Sequence, residues 1–295
     1  MSNHRAGFVN IVGNPNVGKS TLMNELVGER VSIATFKSQT TRHRIMGIYN
    51  EEDTQIVFSD TPGVLKPNYK LQESMLKFSK SALSDADILL YVTDVVEAMN
   101  KNEEFLDLVR KLNVPVLVLI NKIDLTNQEE LVKLVETWEE QLPKAEIIPI
   151  SALNKFNTSY VFSRIKELLP LSPPYFDKDQ WTDKSARFFV SEIMREKILL
   201  YYDKEIPYSV EVVVESYKET PKQLNIEVVI LVERESQKGI IIGKQGKALK
   251  KVATEARKEM ERFFDKKVFL QTFVKVEKDW RSSDKQLRDF GYNLD

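Results

Sequence analysis

Short apolar runs alternate with longer amphipathic stretches through the first part of the chain. Residues 8–12, 55–59, 88–92, 116–120 and 147–150 are rich in Val and Ile and bounded by polar or turn residues, so each predicts a buried strand. Between them the spacing predicts helices over 20–27, 70–83, 102–112, 128–141 and 160–169. Strand–helix alternation of this kind builds βαβ units. The expected fold class is therefore α/β, with a mostly parallel, doubly wound sheet covered on both faces.

Pro170, Pro173 and Pro174 break that rhythm, and residues 170–184 carry no apolar period. The stretch reads as a linker. Beyond it the period changes. Residues 186–202 are helical, and 209–216 and 225–232 alternate as strands around a turn near 220–222. Residues 247–264 form a basic amphipathic helix, and 268–276 a last strand. The expected organisation is a first domain over 1–170, a linker over 171–185 and a small α+β domain over 186–295 that ends in a polar tail.

Composition narrows the chemistry. A length of 295 residues suits two domains. There is no cysteine, which removes disulfides, thiolate metal sites and a cysteine nucleophile, and two histidines are too few for a multi-histidine zinc site. No apolar run is long enough to cross a bilayer, and residues 1–10 show no basic-then-apolar leader, so the expected compartment is the cytoplasm. The net charge of −1 hides an asymmetry. Residues 1–179 hold 20 basic and 24 acidic side chains, against 23 and 20 for residues 180–295. Residues 238–251 contain five lysines and no acid, a bias that suits a polyanionic partner.

Gly13-Asn14-Pro15-Asn16-Val17-Gly18-Lys19-Ser20 fits the spacing of a phosphate-binding loop, and it lies between an expected strand and an expected helix. Such a loop turns successive backbone N–H groups toward one centre, and the helix N-terminus adds positive potential. Lys19 then reaches the β- and γ-phosphates, and the Ser20 hydroxyl meets Mg²⁺, with Thr21 following on the first turn. Asp60-Thr61-Pro62-Gly63 closes the strand at 55–59. A carboxylate there is placed to hold Mg²⁺, and the Gly63 amide to meet a γ-phosphate. Asn121-Lys122-Ile123-Asp124 closes the strand at 116–120. Asp124 has the two acceptor positions that guanine N1–H and its 2-amino group require, the Lys122 stem can cover a base, and Asn121 can brace the phosphate loop. Ser151-Ala152-Leu153 follows the next strand and offers a backbone N–H to guanine O6.

These four elements in this order resemble the P-loop GTPases of the translation-factor-like class, over residues 7–169. The resemblance implies GTP/GDP and Mg²⁺ as ligands. It also implies a threonine that closes over Mg²⁺ within Lys37-Ser38-Gln39-Thr40-Thr41-Arg42, where it favours Thr41, with Thr40 as the alternate. Val64 follows Gly63 where Ras-like enzymes carry a water-orienting glutamine, so slow unaided hydrolysis is expected. Related GTPases with an apolar residue there use a bound K⁺ held partly by the loop asparagine, and Asn16 matches that position.

In the second domain, Gly239-Ile240-Ile241-Ile242 leads into Gly243-Lys244-Gln245-Gly246, followed by the basic helix. This resembles a KH domain, whose Gly-x-x-Gly loop clamps about four unpaired nucleotides. Lys244, Lys247, Lys250 and Lys251 supply charge, and Ile241 and Ile242 are candidates for apolar contact with bases or for packing beneath the loop.

One GTPase domain followed by one KH domain resembles the Era family of bacterial ribosome-assembly GTPases. Residues 39–44, 195–197 and 205–209 match it as well. The resemblance implies binding to the single-stranded 3′ end of 16S ribosomal RNA and to the 30S subunit, by a monomer, during 30S maturation. It also points to Trp280 for stacking, with packing on the KH core as the alternative, and to Arg281 for phosphate contact. Two other readings stay open: GTP as a structural ligand without useful turnover, and a GTP-regulated module acting mainly on a protein partner or at the inner face of the cell membrane.

Overall fold

The computed structural model describes residues 4–97 and 102–292. These fall into two compact units, 4–68 with 72–97 and 102–183, and 69–71 with 184–292.

In the first unit six strands form one sheet: β1 (Arg5–Gly13), β2 (Ile45–Asn50), β3 (Thr54–Asp60), β4 (Ile88–Asp94), β5 (Val116–Asn121) and β6 (Glu146–Pro149), in the order β2-β3-β1-β4-β5-β6. All neighbours are parallel except β2 with β3. Every residue of β3 and β4 is buried, as a sheet covered on both faces requires. Helices α1 (Lys19–Val27), α2 (Lys70–Ser84), α3 (Glu103–Arg110), α4 (Gln128–Gln141) and α5 (Thr158–Leu168) alternate with the strands. One core layer joins Leu89, Tyr91, Val118 and Ile120 of the sheet to Phe105, Val109, Trp138 and Leu142. The register pairs Ile11 with Asp60, Gly13 with Val92 and Asp94 with Asn121. The carboxyl ends of β1, β3, β4 and β5 therefore finish side by side, where ligands bind open α/β sheets.

Strand β2 has no counterpart in the sequence reading. Its six residues, Ile-Met-Gly-Ile-Tyr-Asn, are only partly buried and give no continuous apolar run. The expected linker also differs: residues 171–183 lie along the first unit. Leu171 bridges Arg5, Thr182 bridges Gly47, and the Ile48 N–H donates to Trp181 O at 2.9 Å. Buried Gln55 accepts from the Tyr175 and Phe176 N–H groups and donates to Phe176 O at 2.9 Å. β2 is the sheet's edge strand, and the segment covers donors and acceptors that would otherwise stand open.

The second unit runs α6 (Ala186–Tyr201), β7 (Glu211–Glu219), β8 (Gln223–Val232), α7 (Glu235–Ile242), α8 (Lys247–Phe264), β9 (Lys267–Val276) and a short α9 (Asp284–Asp289). β7 and β8 are antiparallel, β8 and β9 parallel. Val190, Ile193, Met194 and Ile198 of α6 and Val252, Ala256 and Met260 of α8 pack on one sheet face, against Val228, Ile230 and Val232. That spacing is the apolar stripe of amphipathic helices.

Candidate functional site

The loop between β1 and α1 curls around its own lysine. Lys19 is buried, and its Nζ donates to Asn14 O at 2.8 Å and Gly13 O at 3.1 Å. Burial lowers its pKa to about 8, against the raising influence of Asp60 and Glu97. Gly18 sits at φ 96° at the head of α1, and a Cβ there would lie 2.3 Å from Asn121 Nδ2, so a side chain is excluded on both counts. The Asn14 amide donates to Glu97 Oε2 at 2.8 Å, and Thr21 is half-buried on the first helical turn.

Beside this loop Asp60 gathers three hydroxyls on one oxygen. Its Oδ2 accepts from Ser20 at 2.6 Å, Ser32 at 2.7 Å and Thr41 at 3.1 Å, while Ser20 and Thr41 lie 2.9 Å apart. The Thr40 hydroxyl instead donates to Lys37 O at 2.6 Å. Burial pushes the Asp60 carboxyl up, opposed by Lys19 and these hydroxyls. Its Oδ1 is buried without a partner. An orphaned carboxylate oxygen beside two hydroxyls is an oxygen donor set that suits Mg²⁺. Ser32 was not read as a site residue. Asn24 presents it by accepting from the Ser32 N–H at 2.9 Å and donating to Ser32 O at 2.7 Å, a connection that only the folded chain reveals.

Gly63 packs on the loop so closely that a Cβ would lie 2.6 Å from Pro15 Cα, and the Val64 N–H donates to Gly13 O at 3.1 Å. The Val64 side chain is buried in the core. On the other flank, Asn121 Nδ2 donates to Val17 O at 2.8 Å and its Oδ1 accepts from the Ala152 N–H at 2.9 Å. Lys122 reaches back to Asp94 at 2.5 Å and to Asn16 O at 2.6 Å, which lays its stem across the space between the loops. Asp124 is exposed, and its Oδ1 accepts from Ser151 Oγ at 2.5 Å. Because the Ala152 N–H already meets Asn121, a guanine O6 contact from that amide has to be shared. Leu153 is 77% exposed at the rim, and Asn16, at φ 67°, is exposed on the loop.

In the second unit Gly243 (φ 68°, ψ 177°) separates α7 from the Lys244–Gly246 turn, and a Cβ on it would meet Ala248 Cβ at 2.6 Å. Lys244 and Gln245 stand exposed at the tip. From Gly246 a groove of about 350 Å³ runs between α8 and β9, lined on the helix by Leu249, Lys250, Ala253, Thr254 and Arg257 and on the strand by Leu270 and Thr272. Lys247 and Lys251 are exposed beside it, with Lys251 Nζ 4.7 Å from the Tyr201 ring centre. Arg257 was missed, although the helical spacing 250, 253, 254, 257 marks one face.

Two expectations are corrected. Trp280 is fully buried, its Nε1 donates to Ser209 O at 3.0 Å and its ring packs edge-on against Phe290, so it has no free face for stacking. Ile241 is fully buried in the core, and Tyr202 Oη donates to its carbonyl at 2.6 Å, so its side chain cannot meet a base. Ile240, half exposed, is the isoleucine that faces out. Ile242 is half-buried, Gly239 is exposed within α7, and Arg281 is paired with Glu233.

A phosphate-type loop with its carboxylate and hydroxyls, a guanine-type loop braced by Asn121, and a Gly-x-x-Gly unit define a P-loop GTPase joined to a KH domain. The family of 50S ribosome-binding GTPases matches residues 8–122, and the KH domain family matches 205–281. GTPase Era of Clostridium kluyveri is 44% identical over 290 residues, 98% of this chain and 99% of that protein. This chain belongs to the Era family of GTPases. Two solved structures align with a TM-score of 0.94 at 39% identity. One is Era in complex with MgGDPNP and nucleotides 1506–1542 of 16S ribosomal RNA, covering 99% of this chain and 100% of that one. The other is a variant of Aquifex aeolicus Era bound to GDP and AlF4⁻, covering 98% and 100%.

Proposed function

We propose that this protein hydrolyses GTP to GDP and phosphate and binds the single-stranded 3′ end of 16S ribosomal RNA during 30S subunit assembly, in the cytoplasm. The observation that carries the reading is the convergence of the β1, β3 and β5 ends on one cluster of side chains. There Asp60 keeps an unpaired oxygen beside the Ser20 and Thr41 hydroxyls, and Asn121 ties the phosphate loop to the guanine-type loop.

Ser20, Thr41 and Asp60 would hold Mg²⁺, which supplies charge neutralisation on the β- and γ-phosphates. Lys19 releases its two loop carbonyls to meet those phosphates. Once there, their negative charge favours its protonated form over the depressed state that burial imposes. Water adds to the γ-phosphorus as the bond to the β–γ bridging oxygen breaks, and the negative charge that grows on that oxygen faces Lys19 and the loop N–H groups. Gly63 has an amide but no side chain to offer, and Val64 is turned into the core, so neither side chain orients the water. Turnover therefore rests on positioning and charge, and is slow unaided. Asp124 accepts from guanine N1–H and the 2-amino group on its two oxygens, one of which also accepts from Ser151 Oγ.

On the second unit, the exposed Lys244 and Gln245 backbone, Lys250 and the α8–β9 groove fit single-stranded RNA: glycines admit the phosphates, and Leu249 and Leu270 lie under the bases. The test is phosphate release from GTP and from ATP, alongside binding of a 3′-end oligonucleotide and a scrambled one. GTP-only turnover with sequence-selective RNA binding supports the reading. Equal use of ATP, or equal binding of the scrambled RNA, contradicts it.

A further inference from the structure

The helices of the KH unit cover one face of its sheet, and the other face carries an aromatic pair with no assigned role. Side chains alternate along β9. Val268, Leu270 and Val274 face the helices, while Phe269 and Phe273 point to the opposite side, 52% and 45% exposed. Most large apolar side chains of this unit are buried, and two half-bare rings at i and i+4 on one strand lie about 13 Å apart. The register sets Phe269 beside Asn225, and Phe273 beside Val229 with Val213 beyond, giving an apolar row across all three strands. Lys267 and Lys275 flank the pair. Glu227 and Glu215 share the face, with Glu215 held by Lys275 at 2.7 Å.

The position of this pair is what gives it meaning. β9 is an edge strand, and Leu270 and Thr272 line the groove with their side chains on one face of the strand that carries Phe269 and Phe273 on the other. A polynucleotide leaving the groove needs to round only this one strand to reach the two rings. β9 itself holds two lysines and no acid. Exposed aromatic rings on a sheet are the usual platform on which single-stranded bases stack, because every base has a π-face.

We propose that the outer face of β9, through Phe269 and Phe273, is a second stacking site for single-stranded RNA continuing out of the Gly-x-x-Gly groove. The site rests on the RNA-binding reading above. It takes unpaired nucleotides of any sequence, and it lengthens the footprint without adding sequence preference.

The experiment uses fluorescence anisotropy with the full chain and 16S 3′-end oligonucleotides shortened stepwise from about twelve nucleotides to about the four that a Gly-x-x-Gly loop clamps. Proteins compared are the wild type, Gly243→Asp and the double variant Phe269→Leu, Phe273→Leu. Leucine keeps the apolar surface and removes the π-face, and circular dichroism checks the fold. The expected result is that the double variant binds the shortest oligonucleotide as the wild type does and the longest about tenfold more weakly, the loss of one or two stacked bases. Wild-type affinity at every length overturns the proposal, as does an equal loss at every length. Wild-type binding by Gly243→Asp would instead remove the groove reading, and the proposal with it. A wild-type dimer in sedimentation that the double variant abolishes would assign the face to a second copy of the chain and likewise overturn it.

Discussion

Asn121 offers the sharpest perturbation of the nucleotide site, because one side chain satisfies a buried group on each of two loops. Replacing it with Ala leaves Val17 O without the donor at 2.8 Å and the Ala152 N–H without the acceptor at 2.9 Å. Val17 is 1% and Ala152 3% exposed, so water does not readily replace either bond. Each orphaned buried group costs about 1–3 kcal/mol, so the pair costs about 2–6 kcal/mol. That is a large share of the roughly 5–15 kcal/mol that stabilises a domain. With a urea slope of about 2 kcal/mol per molar, even the lower figure moves the midpoint down by about 1 M. The chain has two units, so the readout is hydrogen exchange of β1 and β5 amides across a urea series, which follows the GTPase unit alone. GTP affinity, measured with a fluorescent analogue, falls with it, since the two loops are no longer tied together. Asn121→Asp keeps the acceptor for Ala152 but sets a carboxylate against Val17 O, so it is destabilised as well. An unchanged midpoint together with unchanged GTP affinity in Asn121→Ala would refute this account of the site.

Asp124→Asn replaces one acceptor by a donor that confronts the guanine 2-amino group. GTP binding should weaken by about a hundredfold or more, and xanthosine triphosphate, which carries an acceptor there, should bind better than GTP; competition binding checks both. If Asn16, exposed on the phosphate loop, holds a K⁺, GTP turnover should be faster in K⁺ than in Na⁺, and Asn16→Ala should erase the difference in a phosphate-release assay. Trp280→Ala opens a cavity in the KH unit and orphans Ser209 O, with an expected loss of about 3–5 kcal/mol in hydrogen exchange of β7; native protection in this variant would argue that the ring is not a core residue.

The sequence carries the parts of the molecule that are local. The phosphate loop, Asp60 and the two guanine-side loops are legible because each lies within a few residues of a strong apolar strand that fixes where it must sit. Long-range features were not legible. Ile45–Asn50 is an edge strand whose apolar residues are interrupted by Gly47 and only partly buried, so no continuous apolar run marks it. Residues 171–183 hold to β2 and Gln55 largely through backbone groups, which leave no side-chain period to read. Ser32 joins Asp60 only because Asn24 folds the loop back on α1. Trp280 is buried by Phe290 and by a carbonyl 71 positions away, so its apolar bulk alone could not separate core from binding surface. Within α7 the eight residues span too few turns for periodicity to tell buried Ile241 from exposed Ile240.

The central claim is that one chain couples a GTP site to recognition of the 16S 3′ end. The most direct measurement is binding of a labelled 3′-end oligonucleotide with GDP and with a non-hydrolysable GTP analogue, next to a scrambled oligonucleotide and Gly243→Asp. A side chain at position 243 meets Ala248 at 2.6 Å and carries negative charge to the phosphates, so this variant should lose the RNA. The account predicts selective binding that is tighter in the GTP form and absent in Gly243→Asp. Equal affinity for both oligonucleotides, unchanged by nucleotide and by the substitution, would contradict it.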